Sequence, residues 1–241
     1  MSSDRPVALV TGASRRIGAA IAEGLHDAGW AVAAHHRGGE AEAKALCARL
    51  EHARPYRAEL ASAAECGALS RAVIADHGRL DLLVNNASSF FPTRLGETGE
   101  AQWEALLASN LKAPFFLSQA CADALAAGHG SIVNITDIYA RRPLRGYPVY
   151  CAAKAGLAML TRALARELGP AVRVNAVAPG SILWPESGPH DEASREAILE
   201  RAALKRQGEP ADVAGAVLYL AGASYVTGHE LVVDGGQVIG P

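Results

Sequence analysis

A chain of 241 residues, half of them hydrophobic and a fifth charged, is long enough for one globular domain with a sizeable core. Its formal net charge of -2, without any block of like charges, argues against nucleic acid or an anionic membrane held through a basic patch. Four cysteines, Cys47, Cys66, Cys121 and Cys151, form no C-x-x-C pair and no zinc spacing, so they read as small apolar residues of a reduced protein, and no metal site is expected.

Residues 1–6 are polar and run straight into an apolar stretch, so no signal peptide is expected. No apolar run reaches the roughly 18 residues that a bilayer span needs, and the expected location is the cytoplasm. Val7 to Val10 has the continuous apolar pattern of a strand buried on both faces. Thr11-Gly12-Ala13-Ser14-Arg15-Arg16-Ile17-Gly18 follows, then an Ala-rich helix through about Ala28 that Gly29 stops. Strand, glycine loop and helix together bring a helix N-terminus up to a phosphate, and glycine lets backbone approach a ligand closely. Ala31 to His36 reads as the second strand. Its end is where a dinucleotide fold meets the adenosine ribose, and an acid there suits the 2′-hydroxyl of NAD. Here no acid occurs before Glu40, and Arg37 offers a cation for a 2′-phosphate instead. Arg16 adds a second positive charge. Singly each arginine also fits a solvated surface side chain; together they favour NADPH.

Glu40 to about Leu50 has helical spacing, and Pro55 to Ala58 suggests a short third strand ending in Glu59-Leu60. Ser62 is placed to cap a helix that runs to His77 and closes at Gly78. Leu80 to Val84 reads as the fourth strand, leading into Asn85-Asn86-Ala87-Ser88-Ser89-Phe90-Phe91-Pro92. The asparagines fit either a plain turn or amides bridging backbone segments. Phe90 and Phe91 fit either a flat ligand or a loop anchored by packing. Trp103 to about Ala127 reads as one long helical segment. Asn110 in its interior is costly unless hydrogen-bonded, so it is expected to brace backbone or water, and Pro114 to bend or break the segment.

The apolar run from Ser131, bounded by Gly130 and Thr136, reads as a buried fifth strand, with Asp137 just past its carboxyl end, where open α/β sheets place their chemistry. After a loop with Arg141, Arg142, Pro143, Arg145, Gly146 and Pro148, a helix begins near Val149 and runs to about Leu168. Tyr150 and Lys154, four apart, share one of its faces. A cation beside a phenol favours the phenolate, which makes Tyr150 a candidate proton donor tuned by Lys154. Spacing alone also fits an ordinary exposed helix. Ala171 to Val177 reads as the sixth strand, ending in Ala178-Pro179-Gly180, and Ser181 to about His190, with Trp184, is irregular. Helices are expected from about Asp191 to Ala203 and from Pro210 to Ala221, and a last strand from His229 to Val233. Strands and helices alternate without repeat, linker or composition break. The fold class expected is therefore α/β: a single doubly wound domain over residues 1–241, one parallel sheet flanked by helices on both faces.

As a set, Thr11-Gly12 with Gly18, Asn85-Asn86-Ala87, Asn110, the Y-x-x-x-K of Tyr150 and Lys154, Pro179-Gly180 and the closing V-D-G-G resemble the short-chain dehydrogenase/reductases, in order along essentially the whole chain. The resemblance implies a seven-stranded Rossmann fold, a nicotinamide dinucleotide cofactor and a homotetramer. It implies that Tyr150 transfers a proton, that Lys154 also holds the nicotinamide ribose and that Asn110 joins a water relay. Cofactor contacts then fall on Gly12, Arg16, Ile17, Gly18, His36, Arg37, Leu60, Asn86, Ala87, Ser88, Tyr150, Lys154, Pro179, Gly180 and Ser181. Glu59-Leu60 stands where the family usually has Asp-Leu, so Leu60 carries that contact through its backbone.

Two positions depart from the family pattern. Arg16 replaces a usual glycine, and Asp137 replaces the usual serine thirteen residues before the tyrosine. Both, with Asn85 to Phe90 and the spacing of Leu144, Gly146, Tyr147 and Tyr150, are similar to the pteridine reductase branch. That likeness implies a pterin ring held between the nicotinamide and Phe90, with Arg16, Ser88, Asp137 and Tyr150 as further substrate contacts. Trp184, in the loop after Gly180, is a further candidate substrate contact that matches no particular side chain of that branch. The chemistry agrees: a carboxylate repels the alkoxide that grows in ketone reduction. A pterin instead takes hydride at a ring carbon and a proton at a ring nitrogen, and its N–H groups suit an acceptor. Asp137 is expected to keep Tyr150 protonated, while Lys154 pulls the other way. The reaction expected is NADPH-dependent reduction of a pterin resembling dihydrobiopterin, dihydromonapterin or dihydrofolate. The competing readings are reduction of a carbonyl such as a 3-oxoacyl thioester, and a non-catalytic NADPH sensor.

Overall fold

Apolar runs without polar alternation need cover on both faces, and helices on both sides of the sheet provide it. The computed structural model describes residues 5–184 and 192–240. Its elements are β1 (Val7–Val10), α1 (Arg16–Asp27), β2 (Ala31–His36), α2 (Glu40–Arg49), β3 (Ala53–Arg57), α3 (Ala63–His77), β4 (Leu82–Asn85), α4 (Glu100–Leu107), α5 (Ala113–Ala127), β5 (Ser131–Ile135), α6 (Pro148–Leu168), β6 (Arg173–Pro179), α7 (Glu192–Leu199), α8 (Pro210–Gly222) and β7 (Glu230–Val233). The seven strands pair in parallel in the order β3-β2-β1-β4-β5-β6-β7, so the winding reverses between β1 and β4.

Side chains alternate across each strand, and β1 shows the consequence. Ala8 and Val10 join a core with Ile21 and Leu25 of α1 and Val213, Val217 and Leu220 of α8. Val7 and Leu9 join the opposite core, with Leu69 and Val73 of α3 and Leu117, Cys121 and Leu125 of α5. Burying one such leucine is worth about 1.5–3 kcal/mol, so both faces contribute to holding the sheet. Ser62 caps α3 by accepting from the Glu65 amide at 3.4 Å, and Gly78 closes it with φ +77°. Among the described residues no helix is long and apolar enough to cross a membrane.

Several boundaries differ from those expected. β3 begins at Ala53 because its register with β2 starts at Val32, and an edge strand tolerates Pro55. β6 lies two residues further on, from Arg173, where pairing with Ser131 begins. The expected helix from Trp103 to Ala127 starts earlier, at Glu100, and is interrupted by a π-helical turn over Ala108–Lys112, in which the Ala113 amide bonds to the Ala108 carbonyl. Pro114 then falls in the first turn of α5, where a missing N–H costs nothing. α7 ends at Leu199 rather than Ala203. Its expected start at Asp191, and Pro185 to His190 of the expected loop, lie outside the described residues.

Candidate active site

Parallel strands end on one side, so the segments after β1, β4, β5 and β6, neighbours in the sheet, converge on one edge. Gly12 has φ +63°, and a Cβ there would stand 3.1 Å from Ala87 Cα; one on Gly18 would stand 2.6 Å from Asn86 Nδ2. The glycines thus let the β1 loop press against the β4 loop. Asn86 Nδ2 donates to the carbonyls of Thr11 at 2.8 Å and Gly12 at 3.2 Å, while Thr11 Oγ1 accepts from the amides of Asn86 and Ala87, both at 2.9 Å. Of the two readings of the asparagines, the bridging one describes Asn86. Asn85 turns inward: its Nδ2 donates to Asn134 Oδ1 at 2.9 Å, and Asn134 Nδ2 donates to Thr161 Oγ1 at 2.9 Å. This buried polar line ties β4, β5 and α6 together behind the site. Its only signal in the sequence is an asparagine inside the otherwise apolar run of β5.

His35 braces the glycine loop, a role that sequence reasoning missed. Its Nδ1 accepts from the Gly12 amide at 3.2 Å, and its Nε2 donates to the Ala58 carbonyl at 3.1 Å. Burial lowers its pKa to about 4, so the ring is neutral. His36 is buried as well, and its Nδ1 has no hydrogen-bond partner. Arg37 beside it is exposed. Arg16 begins α1 with φ +56°, a left-handed conformation that explains the glycine usual at this place and costs about 1–2 kcal/mol for an L side chain. Its Nη2 donates to the Trp184 carbonyl at 3.1 Å, joining the β1 loop to the segment after β6. The Trp184 ring meets the Arg195 guanidinium at 5.3 Å.

The remaining expected cofactor positions line the same edge. Ile17 packs against the first core, Leu60 is buried and Ser88 is exposed. Pro179 ends β6, the Gly180 amide donates to the Val233 carbonyl at 2.9 Å, and a Cβ on Gly180 would stand 2.6 Å from Asp234 Cβ. Ser181 donates through both its amide and its hydroxyl to Gln237 Oε1, at 3.2 and 3.1 Å.

Asp137 opens a short 3-10 turn, Ile138–Ala140, and its Oδ1 accepts from the Tyr139 amide at 2.9 Å. Its Oδ2 accepts from the Tyr150 hydroxyl at 2.6 Å. Lys154 is buried; its Nζ donates to the Ile135 carbonyl at 2.8 Å and lies 5.7 Å from the centre of the Tyr150 ring. Burial and then the Asp137 carboxylate hold the Tyr150 pKa well above its ordinary 10. The expectation that Lys154 lowers it is therefore corrected. The ammonium is turned to a carbonyl, the carboxylate touches the hydroxyl, and the nearer charge wins. Burial also raises the Asp137 carboxyl and lowers Lys154 to about 8.

Phe90 stacks on Tyr147, with ring centres 4.6 Å apart and planes at 10°, and meets Tyr150 edge-on at 4.8 Å. Its ring remains 39 % exposed, whereas Phe91 packs on the buried cluster of Leu106, Val149 and Tyr150 and so anchors the loop. Asn110 Nδ2 donates to the carbonyls of Ser89 at 2.9 Å and Leu106 at 3.0 Å, and its buried Oδ1 has no partner. Asn110 thus braces the backbone of the loop that carries Ser88 and Phe90. Thr93, which the sequence marks only as the threonine closing the Phe90-Phe91-Pro92 motif, binds that loop to α6: its amide donates to the Gly146 carbonyl at 2.7 Å, and its Oγ1 accepts from the Val149 amide at 3.3 Å.

Residues 12–237 match the family model described as enoyl-(acyl carrier protein) reductase. The chain is 36 % identical to pteridine reductase 1 of Leishmania tarentolae, over 98 % of its own length and 97 % of that protein. It is 35 % identical to the 3-oxoacyl-(acyl-carrier-protein) reductase FabG of Staphylococcus epidermidis, over 95 % of its own length and 98 % of that protein. The solved structure of a blue fluorescent protein from a metagenomic library, in complex with NADPH, matches with a TM-score of 0.89 at 35 % identity, covering 98 % of this chain and 99 % of that one. Nearly equal identity to relatives named for different substrates leaves the substrate class open. The glycine loop, the Tyr150–Lys154 pair and these matches over almost the whole chain converge on one conclusion: the protein belongs to the short-chain dehydrogenase/reductase family and is a nicotinamide-dependent oxidoreductase.

Proposed function

We propose that this protein is an NADPH-dependent pteridine reductase, reducing a pterin to its tetrahydro form. The observation that carries the reading is the hydrogen bond from Tyr150 to Asp137 at 2.6 Å. A carboxylate in this position opposes an alkoxide growing on a ketone, whereas it tolerates a ring that accepts a proton and presents N–H donors. Phe90, half exposed beside Tyr147 and Tyr150, offers a flat ring a stacking partner worth about 1 kcal/mol beyond burial.

The residues present fit the cofactor. Gly12 and Gly18 let backbone come close at the start of α1, the unpartnered Nδ1 of His36 and the exposed guanidinium of Arg37 stand at the end of β2, and Arg16 adds positive charge. NADPH, when bound, supplies the hydride. Tyr150 then gives its hydroxyl proton to the ring nitrogen. Asp137 holds that hydroxyl, and its carboxylate, with a pKa raised by burial, then takes up a proton from solvent water and passes it to the phenolate left behind. Lys154 places a positive charge near the transient phenolate. For the assembly we read a homotetramer, supported by apolar side chains left on the outside: Trp103 of α4 and Met159 of α6 are 45 % and 59 % exposed.

The 35 % identity to FabG favours one second reading, reduction of a 3-oxoacyl thioester. Asp137→Ser separates the two. On the pteridine reading this variant loses turnover of a dihydropterin; on the thioester reading it gains turnover of the thioester.

A further inference from the structure

Glu230 is the first residue of β7, the outer strand beyond β6, and its side chain is 3 % exposed. A carboxylate buried this far is costly unless it is paired and hydrogen-bonded. Arg141 holds Oε2 twice, through Nε at 2.8 Å and Nη2 at 2.7 Å. Thr136 Oγ1 lies 2.7 Å from Oε1, with its hydroxyl donating. These two partners bracket the catalytic turn. Thr136 immediately precedes Asp137, and Arg141 ends the 3-10 turn, its amide donating to the Ile138 carbonyl at 3.1 Å. Between them the Asp137 carboxylate is fixed within the same turn by the Tyr139 amide. Any drift of the turn therefore changes the distance from Asp137 to Tyr150. A second tie follows at the next residue, where Arg142 Nη1 donates to the Gln237 carbonyl at 3.1 Å.

We propose that Glu230 is a positioning residue. Its buried carboxylate clamps Thr136 and Arg141 on either side of Asp137 and so keeps Asp137 within hydrogen-bonding distance of Tyr150. The inference rests on reading Asp137 and Tyr150 as the proton-transfer pair. Glu230 itself touches neither of them, so its removal acts on the chemical step rather than on cofactor affinity.

The test is a double-substitution cycle on whichever substrate turns over, dihydropterin or 3-oxoacyl thioester, so that failure of the pterin reading leaves it measurable. Glu230→Ala is expected to lower kcat about tenfold with the KM for NADPH within about twofold, while Glu230→Gln, which keeps an acceptor oxygen, returns to within about threefold of wild type. In an Asp137→Ala background the same Glu230→Ala change costs less than about twofold, because the residue it positions is gone. Thr136→Val, which removes one arm of the clamp without unpairing Arg141, is expected to lower kcat about threefold and serves if Glu230→Ala does not fold. Independently of activity, hydrogen exchange at the amides of Tyr139 to Arg142 is expected to quicken at least about tenfold in Glu230→Ala or Thr136→Val. Three results overturn the inference: a variant that melts earlier yet keeps wild-type kcat, a loss of full size in the Asp137→Ala background, or unchanged exchange across the turn.

Discussion

The hydroxyl of Tyr150 donates to Asp137 at 2.6 Å, while the ammonium of Lys154 is turned away to the Ile135 carbonyl at 2.8 Å. The pair that shares a helix face is thus not the pair that sets the phenol's proton affinity. Asp137→Asn is expected to bring the Tyr150 pKa down, since burial remains but the negative charge is gone. Turnover of a dihydropterin should fall about 10²-fold. Ultraviolet titration of phenolate, with Tyr150→Phe as the blank, and steady-state kinetics check the two halves separately.

Lys154 has its pKa lowered to about 8 by burial, so it is charged below that pH and loses its charge above it. The turnover rate is expected to fall as pH rises through about 8. Lys154→Arg, which stays charged throughout, should lose this limb even where its absolute rate is lower. A rate profile from pH 6 to about 10 for both proteins is the measurement.

His35 makes folding sensitive to acid. Its folded pKa of about 4 lies below the ordinary 6.5, so the unfolded chain binds the proton more readily between these values. Stability is therefore fully present above pH 6.5, falls as pH drops towards 4, and the difference reaches about 2–3 kcal/mol near the bottom of that window. Denaturant melts at a series of pH values should show this slope in wild type and a shallower one in His35→Asn.

Phe90 keeps 39 % of its surface exposed beside Tyr147. Phe90→Ala should raise the KM for a dihydropterin about five- to tenfold while leaving the Kd of NADPH unchanged, the size expected for one lost stacking partner. Equal weakening of both would move Phe90 from the substrate to the cofactor.

Arg37 is exposed just beyond the buried His36, at the end of β2. Arg37→Ala is expected to weaken NADPH about tenfold and NADH hardly at all, because only NADPH carries the 2′-phosphate that a guanidinium recognises. Titration of the cofactor's fluorescence with each nucleotide checks it.

The sheet and the residues at strand ends were legible in the sequence, since continuous apolar runs, glycines and the position after a parallel strand all have local causes. What was not legible depends on partners far along the chain. His35 braces Gly12 only because β1 and β2 are neighbours, and Glu230 meets Thr136 and Arg141 only because β7 is laid beside β6. Asn110 was legible as a brace of backbone and Pro114 as an interruption of the helix, but the π-helical form of the turn around Asn110 was not. That Asp137 keeps Tyr150 protonated was legible from its place at the strand end. The lowering expected from Lys154 was not borne out for a geometric reason: residue spacing shows that Lys154 is near, but not that its ammonium points to a carbonyl.

The most direct measurement is NADPH oxidation, followed by the cofactor's absorbance, with 7,8-dihydrobiopterin, dihydromonapterin and dihydrofolate in parallel and one 3-oxoacyl thioester beside them. A pteridine reductase built on Asp137, Tyr150 and Phe90 oxidises NADPH with at least one dihydropterin and leaves the thioester untouched. Oxidation with the thioester and none with any pterin contradicts that assignment and makes Asp137 part of a carbonyl reductase.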